Sequence, residues 1–305
     1  MTSVIPFGTG SGWENPRRHR LVHLVSEMVL GFLVGRVSGE ALRAVRLQCL
    51  MEASDVARVI SVHSFRGGTG RTSLVASCAA LMATQGLRVG LADLHLSAPS
   101  AHVPFGLRED QVGYTVNDFL LRKCEPRQLP RDVSLTMGVP VSGQLFLGPA
   151  SVKPVDSIRI GKSGYDIGLL KDGLHDIVEE LQLDILFIDS PPGLTHESLA
   201  AAAIADIVIT LLRADQQDFQ GTLVSLDVLG ELGVPQTILV LNKLPASVDP
   251  VIIRPHLEKL FGMRISAIIP QSEELAVLGT AGVFAMRHPE QRAAQAMRQI
   301  VQGLT

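Results

Sequence analysis

The chain of 305 residues carries a net charge of −3, and 46% of its residues are apolar although only 4% are aromatic. This composition allows a sizeable aliphatic core in one large domain with an appendage. The charge gives no sign of a protein that coats nucleic acid, and no specific nucleic-acid partner is expected. The three cysteines stand apart in the sequence, which fits a reducing cytoplasm better than a disulfide framework or a zinc site.

The first 56 residues have a pattern of their own. Residues 1–16 are rich in glycine, serine and proline and are predicted to be disordered. Apolar residues then recur at helical spacing, which predicts a helical hairpin over 17–54. A basic start before an apolar stripe suits contact with anionic lipid, but glycines in the stripe weaken an isolated helix, so we favour docking onto the rest of the chain or onto a helix of a protein partner. The expected location is cytoplasmic, with a peripheral position at a membrane or assembly surface as the alternative.

From residue 57 to residue 305 the pattern is typical of one α/β domain. Apolar runs of strand length occur at ARVISVHSF, RVGLAD, LDILFID, IVITLL, TILVLN and RISAIIP. Helical stretches lie between several of them: GRTSLVASCAALMATQG, 199–205, 219–232 and 256–260. This alternation predicts a mostly parallel twisted sheet with helices on both faces. Within 107–175 the pattern is weaker, with a helix expected at GYTVNDFLLRK and a strand at QLFLGPAS.

A glycine-rich loop connects the first strand to the first helix of this domain. The stretch SVHSFRGGTGRTSLVAS has the strand, loop and helix order that a phosphate-binding loop requires. Glycines allow backbone N–H groups to turn inward around phosphate oxygens, and the helix start adds partial positive charge. The alternative is a glycine-rich turn without a ligand. The expected nucleotide contacts are Arg66, Gly67, Gly68, Thr69, Gly70, Arg71, Thr72 and Ser73, with the Thr72 hydroxyl on Mg²⁺.

Polar residues follow three further strands. Asp93 and Asp189 each end an apolar run, and Asn242 and Lys243 end another. Ligands of open parallel sheets gather at the carboxyl ends of the strands, so these side chains are expected beside the loop. We interpret Asp93 and Asp189 as magnesium ligands and Asn242, with Lys243, as contacts to a nucleotide base. Each residue alone would be read as the cap of the next turn.

These motifs together resemble the MinD/ParA family of P-loop ATPases, whose loop is called a deviant Walker A motif. The resemblance covers residues 57–303 and rests on FRGGTGRTS, LADLHLSAPSAHVPFGL, FIDSPPG and LVLNKL, which occur in the family order. It implies a dimer that binds ATP and Mg²⁺, with Arg66 reaching the nucleotide of the second subunit. It also implies hydrolysis of ATP to ADP and phosphate in the service of positioning or regulating a larger assembly.

The chain departs from the family pattern in three places. Arg66 and Arg71 stand where the family has lysine, and arginine is bulkier and forked although it keeps the charge. His95 stands where the family has a second aspartate that orients water; it could act as a general base. Arg66, Arg71 and His95 are thus the candidate catalytic residues of a weak ATPase. The alternative is an adaptor of the same fold that binds nucleotide without hydrolysing it.

Overall fold

The domain is built on one twisted eight-stranded sheet. The computed structural model describes residues 57–279 and 282–304. Its strands are β1 Arg58–His63, β2 Arg88–Asp93, β3 Arg131–Asp132, β4 Gln144–Gly148, β5 Ile185–Asp189, β6 Ile207–Leu212, β7 Gln236–Leu244 and β8 Ile265–Pro270. Their order across the sheet is β3-β4-β2-β5-β1-β6-β7-β8. Only the short β3 runs antiparallel to its neighbour among these strands, so the other carboxyl ends meet at one edge.

Helices cover both faces of this sheet. They are α1 Arg71–Thr84, α2 Glu109–Val112, α3 Val116–Leu120, α4 Pro154–Ser163, α5 Ile167–Leu181, α6 His196–Ile204, α7 Gln216–Glu231, α8 Pro250–Phe261, α9 Glu273–Leu278, α10 Phe284–Arg287 and α11 Arg292–Gln302. Short 3₁₀ turns occur at Val103–Phe105, Pro126–Gln128 and Ser134–Met137. None of the helices in the described part of the chain is long and apolar enough to cross a membrane.

Successive side chains along each strand face opposite sides of the sheet, and this alternation divides the core into two layers. Ile60 and Val62 of β1 belong to the largest apolar cluster, which lies between the sheet and helices α1, α10 and α11. Ser61 and His63 therefore face the opposite side, where α5, α6, α7 and α8 pack in three smaller clusters. Because α1 lies at the centre of the main core, the loop before it rests on a rigid base.

The predicted α/β fold is confirmed, and most differences concern helix bounds. The helix expected at 256–260 begins earlier, at Pro250, because Asp249 caps it and the chain tolerates Pro255 within it. The helix expected at GYTVNDFLLRK spans only Val116–Leu120 and ends before Arg122, whose φ of 57° breaks the helical path. Helices α4 and α5 were not predicted. The hairpin expected at 17–54 lies outside the described residues.

Candidate functional site

The glycine loop stands at the carboxyl edge of the sheet, between β1 and α1. Gly68 and Gly70 have positive φ angles of 75° and 95°, a region that L side chains rarely adopt. Gly70 is the N-cap of α1, so the free N–H groups of the helix start face the loop. Thr69 Oγ1 is buried and has no hydrogen-bond partner within the described chain. A concave backbone at a helix start with an unpaired buried hydroxyl suits a phosphate group.

Asn242 and Lys243 fix the outer side of this loop. The Asn242 amide donates to the carbonyl oxygen of Thr69 at 2.6 Å, and Lys243 Nζ donates to that of Gly68 at 2.7 Å. Asn242 is almost fully buried, and a Cβ on Gly70 would lie 2.7 Å from its amide nitrogen. Both side chains therefore hold loop carbonyls away from the cradle. Contact of Asn242 with a nucleotide base stays a prediction.

A pair of buried carboxylates lies beside the start of α1. Asp93 and Asp189 are opposite each other on the paired strands β2 and β5, and both are buried. Burial raises the pKa of Asp93 to about 6, against the opposing effect of backbone N–H groups from Ala101, His95 and Ser100. Burial, together with the neighbouring Asp93, raises the pKa of Asp189 to about 7. Two adjacent buried carboxylates without a full countercharge favour a divalent cation between them.

Thr72 joins this pair from the first turn of α1. Its Oγ1 donates to Asp189 Oδ2 at 2.6 Å and lies 2.9 Å from Ser100 Oγ. Hydroxyl and carboxylate oxygens are the ligands that Mg²⁺ prefers. Across the described residues no cluster of three histidine, cysteine or acidic side chains could hold a metal alone, so a cation here would need further oxygens from phosphate or water.

Arg71 points to the wall of the site rather than into the open loop. Its Nε donates to the carbonyl oxygen of Ser190 at 3.0 Å, and one terminal nitrogen donates to Ser64 Oγ and to the carbonyl oxygen of Arg66 at 3.2 Å. The side chain is buried. Burial lowers its pKa, and the charges of Asp189 and Asp93 oppose that effect. Arg71 thus ties the two ends of the loop to the segment after β5.

Arg66 is held within its own subunit in this structure. Its guanidinium lies 3.3 Å from Asp215 Oδ1 and 3.7 Å from Asp218 Oδ1, at the start of α7. The two aspartates were not predicted as site residues. The signal was an acidic pair three and six residues after the apolar run IVITLL, too far beyond the strand to be recognised as a strand-end acid.

His95 lies two residues after Asp93 and is half-buried. Its backbone N–H donates to Asp93 Oδ1 at 2.9 Å. Burial, helped by the charge of Arg71, lowers the pKa of its imidazole, and Glu197 opposes this shift. The lowered pKa favours the neutral imidazole, which is the form that a general base requires. Glu197, in the first turn of α6, was not predicted as part of the site.

The fold and this arrangement define the chain as a P-loop NTPase. The model of the ParA family, described as the NUBPL iron-transfer P-loop NTPase, matches residues 55–224, and the chain belongs to this family. The MinD/ParA resemblance is thereby confirmed.

Curated relatives and solved structures agree with this assignment. An uncharacterized ATP-binding protein of Methanocaldococcus jannaschii is 25% identical over 250 residues, which are 82% of this chain and 88% of that protein. An iron-sulfur cluster carrier protein of Deinococcus radiodurans is 26% identical over 82% of this chain and 69% of its own. Other relatives match over about half of their own length.

The septum site-determining protein MinD of Pyrococcus horikoshii, solved with Mg-ADP, matches with a TM-score of 0.67. It is 19% identical over 81% of this chain and 96% of that one. At this identity the likeness shows the fold alone.

Proposed function

We propose that the chain is an ATP-binding switch that dimerises when Mg-ATP is bound and hydrolyses ATP slowly to ADP and phosphate. The observation that carries the proposal is the buried Asp93–Asp189 pair, with the Thr72 hydroxyl 2.6 Å from Asp189, directly beside the glycine loop. A cation that neutralises this pair and a phosphate that fills the loop would attract each other electrostatically. Mg-nucleotide supplies both.

Each residue has a role in this proposal. Residues 67–73 cradle the phosphates, and Thr72 and Asp189 hold Mg²⁺, with Asp93 beside them. Bound Mg²⁺ would neutralise charge that develops on the phosphate oxygens. Arg71 fixes the loop and adds positive charge at its wall, while neutral His95 would accept a proton from the attacking water. Arg66 would contact the nucleotide of the second copy.

Calorimetric titration of the full chain with ATP tests the binding step. We expect binding that requires Mg²⁺, and Thr72→Ala should weaken it by about tenfold because a charge-assisted ligand is lost. Thr84→Ala is the matched control, since Thr84 ends the same helix and, within the described part of the chain, its hydroxyl donates to the carbonyl oxygen of Leu81 away from the loop. No heat and no thermal shift at millimolar Mg-ATP would refute the proposal.

A non-hydrolysing adaptor is the second candidate, and the position of Arg71 favours it. Nε and one terminal nitrogen of the guanidinium are committed to Ser190, Ser64 and Arg66, so fewer of its donors remain for a transferring phosphoryl group in this arrangement. Steady-state phosphate release separates the two candidates. A rate above that of Asp189→Asn supports the enzyme, and equal rates support the adaptor.

Relatives named for iron–sulfur cluster assembly or carriage suggest a cargo, but the described cysteines do not suit one. Clusters are held by thiolates. Cys78 is fully buried in α1, where burial raises the pKa of its thiol to about 12. Burial also raises the pKa of the Cys124 thiol to about 11. We therefore propose that the switch acts without a cluster on these two cysteines.

We propose two partners for the switch. A second copy of the chain is the first partner, and a protein bound through residues 17–54 or the dimer surface is the second. Positioning of a larger assembly, which the resemblance implied, finds no support among the curated relatives, so we keep only the switch. A cytoplasmic location agrees with relatives named as cytosolic factors.

A further inference from the structure

The start of the phosphate loop rests on the first two turns of α7. Phe65 packs against Gly221 so closely that a Cβ on Gly221 would lie 2.0 Å from the Phe65 ring. The next residue, Arg66, reaches Asp215 and Asp218 on the same helix. Two consecutive loop residues thus contact the start of α7, and a shift of Arg66 must change the environment of this helix.

Asp218 is buried, and Arg66 is the ion-pair partner of one of its two carboxylate oxygens. Its Oδ2 accepts from the backbone N–H of Arg213 at 2.9 Å and from Arg213 Nε at 3.0 Å. Its Oδ1 has no hydrogen-bond donor in the described parts of the chain, and the Arg66 guanidinium at 3.7 Å is its ion-pair partner. If Arg66 moved away, this oxygen would remain buried without a hydrogen bond, and Arg213 would be the remaining countercharge of the carboxylate among the described residues.

The side of α7 that faces the sheet is polar and incompletely hydrogen-bonded. His63 Nε2 lies 3.1 Å from Ser225 Oγ. The buried hydroxyls of Ser61, Thr210 and Thr222 have no partner among residues 57–279 and 282–304. Unpaired buried hydroxyls do not hold a helix as apolar interdigitation does. The contacts of Phe65 and Arg66 at the start of α7 therefore contribute more to the placement of this helix than its polar side does.

We propose that Asp215 and Asp218 position Arg66 within its own subunit and hold it back from the nucleotide site of a second copy until that site offers a stronger anion. The inference rests on the proposed function, in which Arg66 contacts the partner's nucleotide. Release of Arg66 removes one of the two arginines that pair with Asp215 and Asp218 in the described chain and leaves Arg213 as their partner, so the start of this helix responds to dimerisation. Asp215 and Asp218 are positioning residues, since they act through Arg66.

Asp215→Asn is the test variant with the smallest structural effect. Asp215 is the N-cap of α7 and accepts from the backbone N–H of Asp218, a role that asparagine fills equally well. The substitution keeps the cap and removes the charge that pairs with Arg66 and with Arg213. Asp249→Asn is the matched control, because Asp249 caps α8 in the same manner and has no ion pair in the described structure.

The first measurement is the ATP concentration that gives half-maximal dimerisation. It is determined by sedimentation of the full chain with excess Mg²⁺. Asp215→Asn should require about two- to fivefold less ATP than wild type, the range expected for losing a half-exposed ion pair. Asp249→Asn should match wild type. Structural damage does not promote dimerisation, so an equal or higher ATP requirement for Asp215→Asn would overturn the proposal.

The second measurement is hydrogen exchange of the amides of 219–222 in the nucleotide-free chain. Arg66→Ala and Asp215→Asn should each speed exchange by about two- to fivefold, and the double variant by less than the product of the two single effects, because both substitutions remove the Arg66–Asp215 pair. Unchanged exchange in Arg66→Ala would overturn the proposed positioning even if dimers form. A different outcome is that the two substitutions speed exchange non-additively while neither wild type nor any variant forms dimers with ATP. That outcome would support the positioning of Arg66 and reject the proposed function.

Discussion

Replacing Gly70 with alanine should destabilise the phosphate loop in two ways, through backbone strain and through a close contact with Asn242. The two effects can be measured separately. At a φ of 95°, alanine adopts a left-handed conformation that costs about 1–2 kcal/mol. The added Cβ would also lie 2.7 Å from the Asn242 amide nitrogen, which donates to the carbonyl oxygen of Thr69. Loss of this buried hydrogen bond adds about 1–3 kcal/mol. The free energy of unfolding should therefore fall by about 2–5 kcal/mol, the sum of both terms.

Gly86→Ala provides the matched control. Gly86 has a φ of 96° and nothing within 4 Å of an added Cβ, so only the backbone strain is expected there. Urea unfolding of both variants measures the difference, which should be about 1–3 kcal/mol and represents Asn242 alone. The affinity for Mg-ATP should fall in Gly70→Ala and stay unchanged in Gly86→Ala. Equal losses of stability in both variants would show that Asn242 does not brace the loop.

Three further predictions follow from buried and bracing residues. Burial, with a contribution from the charge of Arg71, lowers the pKa of His63 to about 4. Because an unfolded histidine titrates near ~6.5, the native state binds fewer protons than the unfolded state between these two pH values. The stability that is present above pH ~6.5 therefore declines as the pH falls towards 4. His63→Asn should therefore lose about 2 kcal/mol less stability than wild type between pH 7 and pH 5 in urea titrations, and an unaltered pH slope would contradict this account. Lys243→Met removes the bond to the Gly68 carbonyl oxygen and should weaken Mg-ATP binding about fivefold in calorimetry, whereas unchanged affinity would mean that the loop holds its shape without it. Gly221→Ala should destabilise the chain by about 1–3 kcal/mol against Phe65, while Gly230→Ala in the same helix, with open space around it, should be neutral or stabilising in the same melts.

The sheet and the acidic pair were predictable because they depend on periodicity and on strand direction. Apolar runs of strand length alternating with helices predict parallel strands, and parallel strands place their final residues at one edge. Asp93 and Asp189 therefore came together as expected, opposite each other on β2 and β5. Thr72 followed from its place in the loop.

The contacts of the long polar side chains were not predictable from the sequence. Asn242 bonds the loop carbonyl because the chain turns sharply at Lys243, with a φ of 56°. The partners of Arg66 depend on how α7 begins relative to the loop, and that geometry arises only when β1 and β6 pair. Local patterns do not encode distances between segments about 150 residues apart.

Helix α5 illustrates a signal that was present and missed. Leu170, Leu174, Ile177 and Val178 recur at helical spacing and are buried, and Asp166 caps the start. Gly168 and Gly173 interrupt the helical propensity of the segment and obscured the pattern. At Gly173 the close approach of Phe119, 2.4 Å from an added Cβ, explains why glycine is present within a helix.

Sedimentation velocity of the full chain in three states measures whether the dimer forms only with Mg-ATP. We expect a single chain of 32.7 kDa without nucleotide and with Mg-ADP, and a species of twice that mass with Mg-ATP. Arg66→Ala should retain nucleotide binding and form fewer of the larger species. A single mass in all three states, at ATP concentrations that saturate the site by calorimetry, would contradict the account of a nucleotide-dependent dimeric switch.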